Sequence, residues 1–245
     1  MKISKRAFLK ASGASIATLT IAGQTLSSSA QALSANDQHD GSKNQATALK
    51  PITTTVSAIS ATERLMRIHQ AQKLMQQLDI SALILEPGAA MDYFSGIQWW
   101  RSERLTAVII PREGEISVIC PFFEEPSVRE SLAVGNDIRV WQEHESPFAL
   151  IKQILTDAKL NKGKIAFENS VRYFVLSGVM AELPTLQHTS AEPVTRGCRM
   201  YKSQHELELM HKANEVTLLA YADVWSKLEA GMSQGEVKSL MNNAQ

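Results

Sequence analysis

The chain has 245 residues, of which 44% are apolar and 20% are charged. This length suits one large domain or two small ones, and the composition excludes a disulfide-stabilised miniprotein, a coiled coil and a low-complexity chain. The 25 basic side chains balance the 25 acidic ones. A neutral chain without a basic block is a poor candidate for nucleic-acid binding.

The first 32 residues have the features of an export signal in their usual order. A basic segment comes first, a mildly apolar stretch follows, and Ala30-Gln31-Ala32 offers small residues for signal-peptidase cleavage after Ala32. The basic segment resembles a twin-arginine motif in which lysine replaces the first arginine. The motif residues are Lys5, Arg6, Phe8 and Leu9. The alternative is an ordinary amphipathic helix at the N-terminus.

The export signal predicts a periplasmic or otherwise exported bacterial protein. The rest of the sequence has no apolar run of about 18 residues, so we expect no membrane segment beyond the signal peptide. Residues 33–60 are rich in Ser, Thr, Asn and Gln and lack apolar periodicity. Such a segment cannot bury enough surface to offset its ordering entropy, so it predicts a flexible linker.

Residues 62–192 predict alternating helices and strands, which indicates an α/β domain with a mixed sheet flanked by helices. Apolar residues at helical spacing over 62–78 predict the first helix, with Thr62 as its N-cap. The apolar run from Ile80 to Leu85 predicts a buried strand. Further strands are predicted over 105–110, 116–120, 138–141, 164–167 and 185–188, and further helices over 147–158 and 171–182.

A second unit is predicted from residue 199 onward. Ser203 with Glu206, and Ser233 with Glu236, have the S-x-x-E spacing of a capping box and predict the first turns of two helices. Gly231 is predicted to end the first of them. Because that helix carries a long apolar stripe with little sequence left to cover it, we interpret 199–245 as the beginning of a larger domain.

Two cysteines, Cys120 and Cys198, form no CxxC motif, which excludes a zinc knot. Two buried thiols and a single disulfide both remain open. His205, Glu208 and His211 share one side of a predicted helix, but the second histidine lies two positions late for an HExxH motif. A solvated helix face is the simpler interpretation of these three residues.

Three stretches of the sequence resemble the Xaa-Pro peptidase, prolidase and creatinase family. Met91 to Gly96 resembles the family's N-x-x-Y-x-x-G region with the Asn absent. Ser102-Glu103-Arg104-Leu105 leads into an apolar strand. Arg199 to Ser203, together with Glu206, resembles the R-x-x-K-S-x-x-E beginning of the catalytic domain. The resemblance implies a creatinase-like N-terminal domain over 62–192, followed over 199–245 by the first helices of a truncated pita-bread metallopeptidase domain.

The resemblance implies hydrolysis of the bond that precedes proline in peptides. The family uses two divalent metals, for which Mn, Co or Zn are suitable, held by two Asp, one His and two Glu. In the family these ligands lie beyond the position of Gln245, and Asp223 is the only aspartate after Arg199. We therefore expect this chain to hold no cofactor and no catalytic or metal-binding residue, and to be inactive alone. The complete family member is expected to form a homo-oligomer and to take proline-containing peptides.

Trp99, Trp100 and Arg101 follow Gly96 in a predicted loop. Two adjacent tryptophans beside charged residues suit a contact surface. The resemblance implies that this loop borders a neighbouring subunit's substrate site or an oligomer interface. The alternative is that the tryptophans only pack on the sheet.

A second class of function remains open for the whole chain. It could be a non-catalytic periplasmic module for oligomerisation or peptide binding. The exposed apolar stripe of the helix after Ser203 argues against a stable standalone module.

Overall fold

A computed structural model describes residues 49–160 and 162–245. The predicted signal motif, the cleavage position after Ala32 and most of the predicted linker lie outside the described residues. The helices are α1 (Ala61–Gln77), α2 (Ala89–Ser95), α3 (Glu125–Ser131), α4 (Pro147–Asp157), α5 (Tyr173–Glu182), α6 (Glu192–Arg199), α7 (Gln204–Lys227) and α8 (Gln234–Ala244). The strands are β1 (Ile80–Leu85), β2 (Ala107–Pro111), β3 (Ser117–Pro121), β4 (Asp137–Trp141), β5 (Lys164–Phe167) and β6 (Gln187–Ser190). Among the described residues, no helix has both the length and the apolar character needed to cross a bilayer.

The six strands form one mixed sheet in the order β4-β3-β2-β1-β5-β6. β2 is antiparallel to both of its neighbours, β1 and β3, whereas the pairs β1/β5, β3/β4 and β5/β6 are parallel. β2 therefore runs opposite to the other five strands. The carboxyl ends of those five strands meet the amino end of β2 at one edge of the sheet, which we call the carboxyl edge. The predicted mixed sheet is confirmed.

β1 lies at the centre of the fold and is buried along its whole length. Successive side chains of a strand point to opposite faces. Leu83 and Leu85 accordingly join a core that includes apolar residues of α1 and α2, and Ala82 and Ile84 join a second core built with α4 and α5. Burial on both faces explains why the sequence of β1 is almost continuously apolar.

The N-cap predicted for α1 is wrong by two residues. The helix begins at Ala61, and its N-cap is Ser60 rather than Thr62. The Ser60 hydroxyl accepts the backbone N–H of Glu63 at 3.2 Å, while the Glu63 carboxylate accepts the backbone N–H of Ser60 at 3.0 Å. This reciprocal pair satisfies two helix-end donors at once, which a cap at Thr62 does not achieve.

Other boundaries differ from the prediction by a few residues. The predicted strand 105–110 is β2, Ala107–Pro111, because the carbonyl of Leu105 accepts a hydrogen bond from the Trp141 indole and Thr106 binds Glu124. The predicted last strand, 185–188, is β6, Gln187–Ser190. The short helices α2, α3 and α6 lie outside the predicted ranges, since none of them is long enough to show a clear helical period.

The capping boxes of α1 and α7 are linked to each other. Glu206 accepts the backbone N–H of Ser203 at 2.8 Å, as the sequence predicts, and also accepts a hydrogen bond from Arg67 Nη2 at 2.9 Å. Glu63, the capping residue of α1, lies 2.9 Å from Nδ1 of His205. Each capping carboxylate therefore also contacts a basic side chain of the other helix.

Contacts divide the chain into two compact units. One unit, Ala58–Leu207, contains the whole sheet, and the other comprises Glu208–Gln245 with the segment that ends at Ser57. The predicted capping box of α8 is confirmed, since Ser233 and Glu236 exchange hydrogen bonds. α7 ends at Lys227 and not at Gly231. In its last turn the Ser226 hydroxyl donates to the carbonyl of Asp223, a local bond that competes with continued helix.

The apolar stripe of α7 is only partly covered. The stripe predicted from the sequence runs from Leu207 to Leu228; on it Ala220 and Val224 are buried, whereas Leu207 and Met210 are exposed.

Both cysteines are buried and free, so of the two alternatives that the sequence left open the structure shows two buried thiols and not a disulfide. Burial raises the pKa of Cys120 to about 12 and that of Cys198 to about 11. Because the thiolate is the reactive form, both residues are chemically inert thiols at neutral pH.

We predict that Glu63→Gln lowers the free energy of unfolding by about 0.5 kcal/mol at pH 7, because glutamine keeps the capping-box acceptor and loses only the negative charge at the helix N-terminus. The backbone N–H of Ser60, helped by His205, lowers the pKa of the Glu63 carboxyl below 4.5. The stabilisation is therefore present above about pH 4.5 and is lost as pH falls through the folded-state pKa. Urea unfolding of both proteins between pH 7 and pH 2 should show a difference that shrinks on acidification. A difference independent of pH would contradict the role of the charge.

Candidate functional site at the carboxyl edge

The connection from β1 to β2 begins and ends at the carboxyl edge because the two strands are antiparallel. After α2 it continues as residues 97–106, which we call the edge loop. Ile97 and Leu105 are buried and anchor its two ends, and the Trp141 indole N–H donates to the Leu105 carbonyl at 3.0 Å. Trp100, near the middle of the loop, is 91% exposed. The edge loop therefore presents one large aromatic side chain from two fixed ends.

The edge loop begins at a helix end that requires glycine. Gly96 follows α2 with a φ of 87°, in the left-handed region. A Cβ at this position would lie 2.6 Å from Cβ of Ala133, closer than real atoms approach. Arg67 of α1 donates to the carbonyl of Tyr93 at 3.0 Å in the last turn of α2. The positive φ and the close approach of Ala133 explain why a glycine ends the Met91 to Gly96 motif.

An ion pair with a buried carboxylate joins the edge loop to two strand ends. Glu86 directly follows β1, and its side chain has no solvent exposure. Its Oε1 accepts hydrogen bonds from Nε and Nη2 of Arg172 at 3.0 and 2.7 Å, and its Oε2 accepts the backbone N–H of Arg172 at 2.7 Å. The remaining guanidinium nitrogen, Nη1, donates to the carbonyl of Ser102 in the edge loop at 2.6 Å. Arg172 lies between β5 and α5, so one side chain links β1, β5 and the loop.

Arg101 fastens the same side of the edge loop. Its Nε donates to the carbonyl of Pro87 at 2.9 Å, and its Nη2 donates to the hydroxyl of Ser170. Pro87 follows Glu86, and Ser170 follows β5. Arg101, which the sequence predicts as a contact residue, therefore makes its hydrogen bonds within its own domain.

Arg104 fastens the other side of the edge loop. Its Nε donates to Oε1 of Glu143 at 2.5 Å, and its guanidinium lies 5.3 Å from the ring centroid of Phe123. Glu143 follows β4, and Phe123 follows β3. The hydrogen bond to Glu143 raises the pKa of Arg104 above its already high value, so this side chain stays positively charged. The edge loop is thus tied to residues that follow β1, β3, β4 and β5.

Aromatic side chains are concentrated on the segments that follow the strands at this edge. The exposed members are Trp100, Phe122, Phe123, Tyr173 and Phe174. The Arg172 guanidinium lies 4.7 Å from the ring centroid of Phe174. Exposed aromatic residues with charged neighbours are typical of binding surfaces, and ligands of α/β sheets bind at the carboxyl ends of strands. The carboxyl edge is therefore the candidate functional site.

The structure separates the three residues that the sequence analysis grouped together. Trp99 is half-buried and packs against the core shared with α1, Trp100 is exposed, and Arg101 is bonded to neighbouring segments. Packing on the domain, the alternative interpretation, therefore describes Trp99 and not Trp100. A role of the loop at a substrate site or an oligomer interface stays a prediction.

Sequence analysis missed the residues that hold the edge loop. Glu86 and Arg172 are distant in sequence, and no motif connects them. One signal was present, because Glu86 is an acidic residue placed at the end of a buried apolar run, where a charge needs a partner.

The described residues do not form a metal site of the kind that the family resemblance implies. In the ranges 49–160 and 162–245, no group of three or more His, Cys, Asp or Glu side chains is placed to hold a metal ion. His205, which shares a helix side with Glu208 and His211, contacts the capping carboxylate of Glu63. We therefore assign no step of a metal-dependent reaction to these residues.

The family model described as the creatinase/prolidase N-terminal domain matches residues 67–201, more than half of the chain. The chain therefore belongs to the creatinase/prolidase N-terminal domain family. This match confirms the family resemblance, and it agrees with the mixed sheet and flanking helices of the structure.

Curated relatives match the chain over most of its length. An uncharacterized peptidase of Schizosaccharomyces pombe is 28% identical over 191 residues, which cover 72% of this chain and 41% of that protein. The probable dipeptidase PepE of Mycobacterium tuberculosis is 26% identical over 173 residues, or 70% of this chain and 45% of the relative. The chain thus spans somewhat less than half the length of these relatives.

Solved structures show the same architecture. The dipeptidase PepE from Mycobacterium ulcerans superposes with a TM-score of 0.64 at 25% identity, covering 77% of this chain and 50% of that one. A recombinant prolidase from Thermococcus sibiricus has a TM-score of 0.65 at 18% identity with the same coverage, which shows likeness of fold alone.

We predict that the two adjacent tryptophans contribute very differently to stability. Trp99→Ala should lower the free energy of unfolding by about 1–2 kcal/mol, which is less than the cost of deleting a fully buried aromatic ring because Trp99 is half-buried. Trp100→Ala should change the free energy of unfolding by less than about 0.5 kcal/mol, because its ring is exposed. Urea unfolding of the chain measures both values. Equal destabilisation by the two variants would show that the Trp100 ring is packed in solution.

Proposed function

We propose that this chain is the N-terminal part of an exported Xaa-Pro peptidase, and that the complete protein hydrolyses the bond preceding proline in peptides. The observation that carries the proposal is the family match over residues 67–201. The dipeptidase and prolidase names of the relatives with the same fold support this substrate class. The family's metal chemistry belongs to the complete protein, and the described residues contribute the domain that carries the edge loop.

Within this function, we assign the edge loop to the border of a substrate site in a neighbouring subunit of a homo-oligomer. Proline lacks a backbone N–H, so its recognition relies on contact with its apolar ring. The exposed indole of Trp100 supplies a rigid apolar face for such a contact. Trp99 supports the loop from the core, and Arg101 holds it to Pro87.

The complete native protein should cleave an Xaa-Pro dipeptide in the presence of Mn²⁺, Co²⁺ or Zn²⁺ and should lose this activity in EDTA. In that protein, Trp100→Ala should raise KM about tenfold, the equivalent of about 1.4 kcal/mol of lost binding. Met66→Ala, which truncates an exposed apolar side chain of α1, is the matched control and should leave KM unchanged.

The two parts of the proposal fail separately. No cleavage with any of the three metals would contradict peptidase function. Normal cleavage with an unchanged KM and oligomeric state in Trp100→Ala would contradict only the role of the edge loop.

We also propose export through the twin-arginine-like signal. The protein isolated from its native cells should begin at Leu33, as measured by intact mass and N-terminal sequencing. Replacing Lys5 and Arg6 together by Gln should retain the uncleaved protein inside the cell, because the signal depends on this basic pair. A mature protein that keeps residues 1–32 would contradict the proposal.

A further inference from the structure

We propose that Glu86 and Arg172 are positioning residues, which fix the edge loop so that Trp100 is already in place when substrate arrives. This inference rests on the proposed function, because it assigns a purpose to the rigidity of the loop that borders the substrate site. Neither residue touches substrate in this account. Both act through the backbone of the loop.

Glu86 is held rigidly at the end of the central strand. It continues β1, the strand that pairs with β2 on one side and β5 on the other. Both of its carboxylate oxygens are engaged by Arg172, one by the side chain and one by the backbone N–H. A buried carboxylate that accepts three hydrogen bonds from one arginine has little freedom to move, since any departure leaves its charge without a partner in the interior.

Arg172 divides its donors between the two parts that it joins. Nε and Nη2 face Glu86, whereas Nη1 faces the carbonyl of Ser102, two residues beyond Trp100. The guanidinium also lies 4.7 Å from the ring centroid of Phe174, which restricts its plane. The planar guanidinium therefore holds the edge loop at a fixed distance from the end of β1.

The consequence for binding follows from entropy. A loop that is ordered in the free protein loses its conformational freedom on folding, and substrate binding does not bear that cost. Loosening the loop should therefore raise KM and leave kcat nearly unchanged, because the chemical groups lie elsewhere. This split distinguishes positioning from general damage to the fold.

The test uses Arg172→Lys, because Glu86→Gln risks misfolding. Lysine keeps a positive charge beside Glu86, but its single nitrogen cannot reproduce the planar fork that bonds Glu86 and Ser102 together. The matched control is Arg139→Lys, which alters an arginine of β4 that bridges Asp137 and Asp157 outside the edge loop.

The first measurement is NMR relaxation of the backbone amides in the full chain, which reports order whether or not an amide is hydrogen-bonded. Order parameters within residues 98–104 should fall from the rigid value of about 0.85 to below about 0.6 in Arg172→Lys and should not change in Arg139→Lys. Order parameters in β1 should stay high in both variants, which shows that the sheet is intact. Unchanged order parameters of residues 98–104 in Arg172→Lys would overturn the proposal.

The second measurement is steady-state kinetics of the complete protein. Arg172→Lys should raise KM severalfold at nearly constant kcat, and it should add nothing further in a Trp100→Ala background. If Trp100→Ala raises KM but Arg172→Lys does not, the positioning role is overturned and the proposed function stands. If Trp100→Ala leaves KM unchanged, the proposed role of the loop fails, and this inference, which rests on that role, fails with it.

Discussion

The carboxylate of Glu86 has no contact with solvent, and the structure of the carboxyl edge depends on the ion pair that neutralises its charge. A buried charge without a partner costs several kcal/mol, so the fold must bring a cation to the end of β1. Arg172 meets this requirement, and its spare nitrogen holds the backbone of the edge loop. One electrostatic constraint thus connects the central strand to the exposed loop.

The direction of β2 places the edge loop at the carboxyl edge. β2 is antiparallel in a sheet whose other strands are parallel, so the β1–β2 connection returns to the edge where the other strands end. Segments that follow β3, β4 and β5 are therefore within reach of the loop. Arg104 and Arg101 use this proximity from its two sides, and Trp100 between them remains exposed.

Local patterns predicted the fold well because β1 and the helix faces obey simple hydrophobic periods, and the two S-x-x-E motifs after residue 199 determine where α7 and α8 begin. The same patterns failed where distant residues decide the outcome. Ser60 and not Thr62 is the N-cap of α1, because Ser60 and Glu63 exchange hydrogen bonds. Leu105 lies in the edge loop and not in β2, because the Trp141 indole binds its carbonyl. For the site, sequence identified the loop but not Glu86 and Arg172, whose pairing exists only after the sheet has formed.

The most direct measurement of the central claim is a crystal structure of the complete native protein with an Xaa-Pro dipeptide bound. The account predicts that the Trp100 ring lies within about 4 Å of a peptide held by a neighbouring subunit, the distance of apolar contact. It also predicts that the Glu86–Arg172–Ser102 bonds are unchanged by binding. A bound peptide remote from every copy of the edge loop would contradict the account.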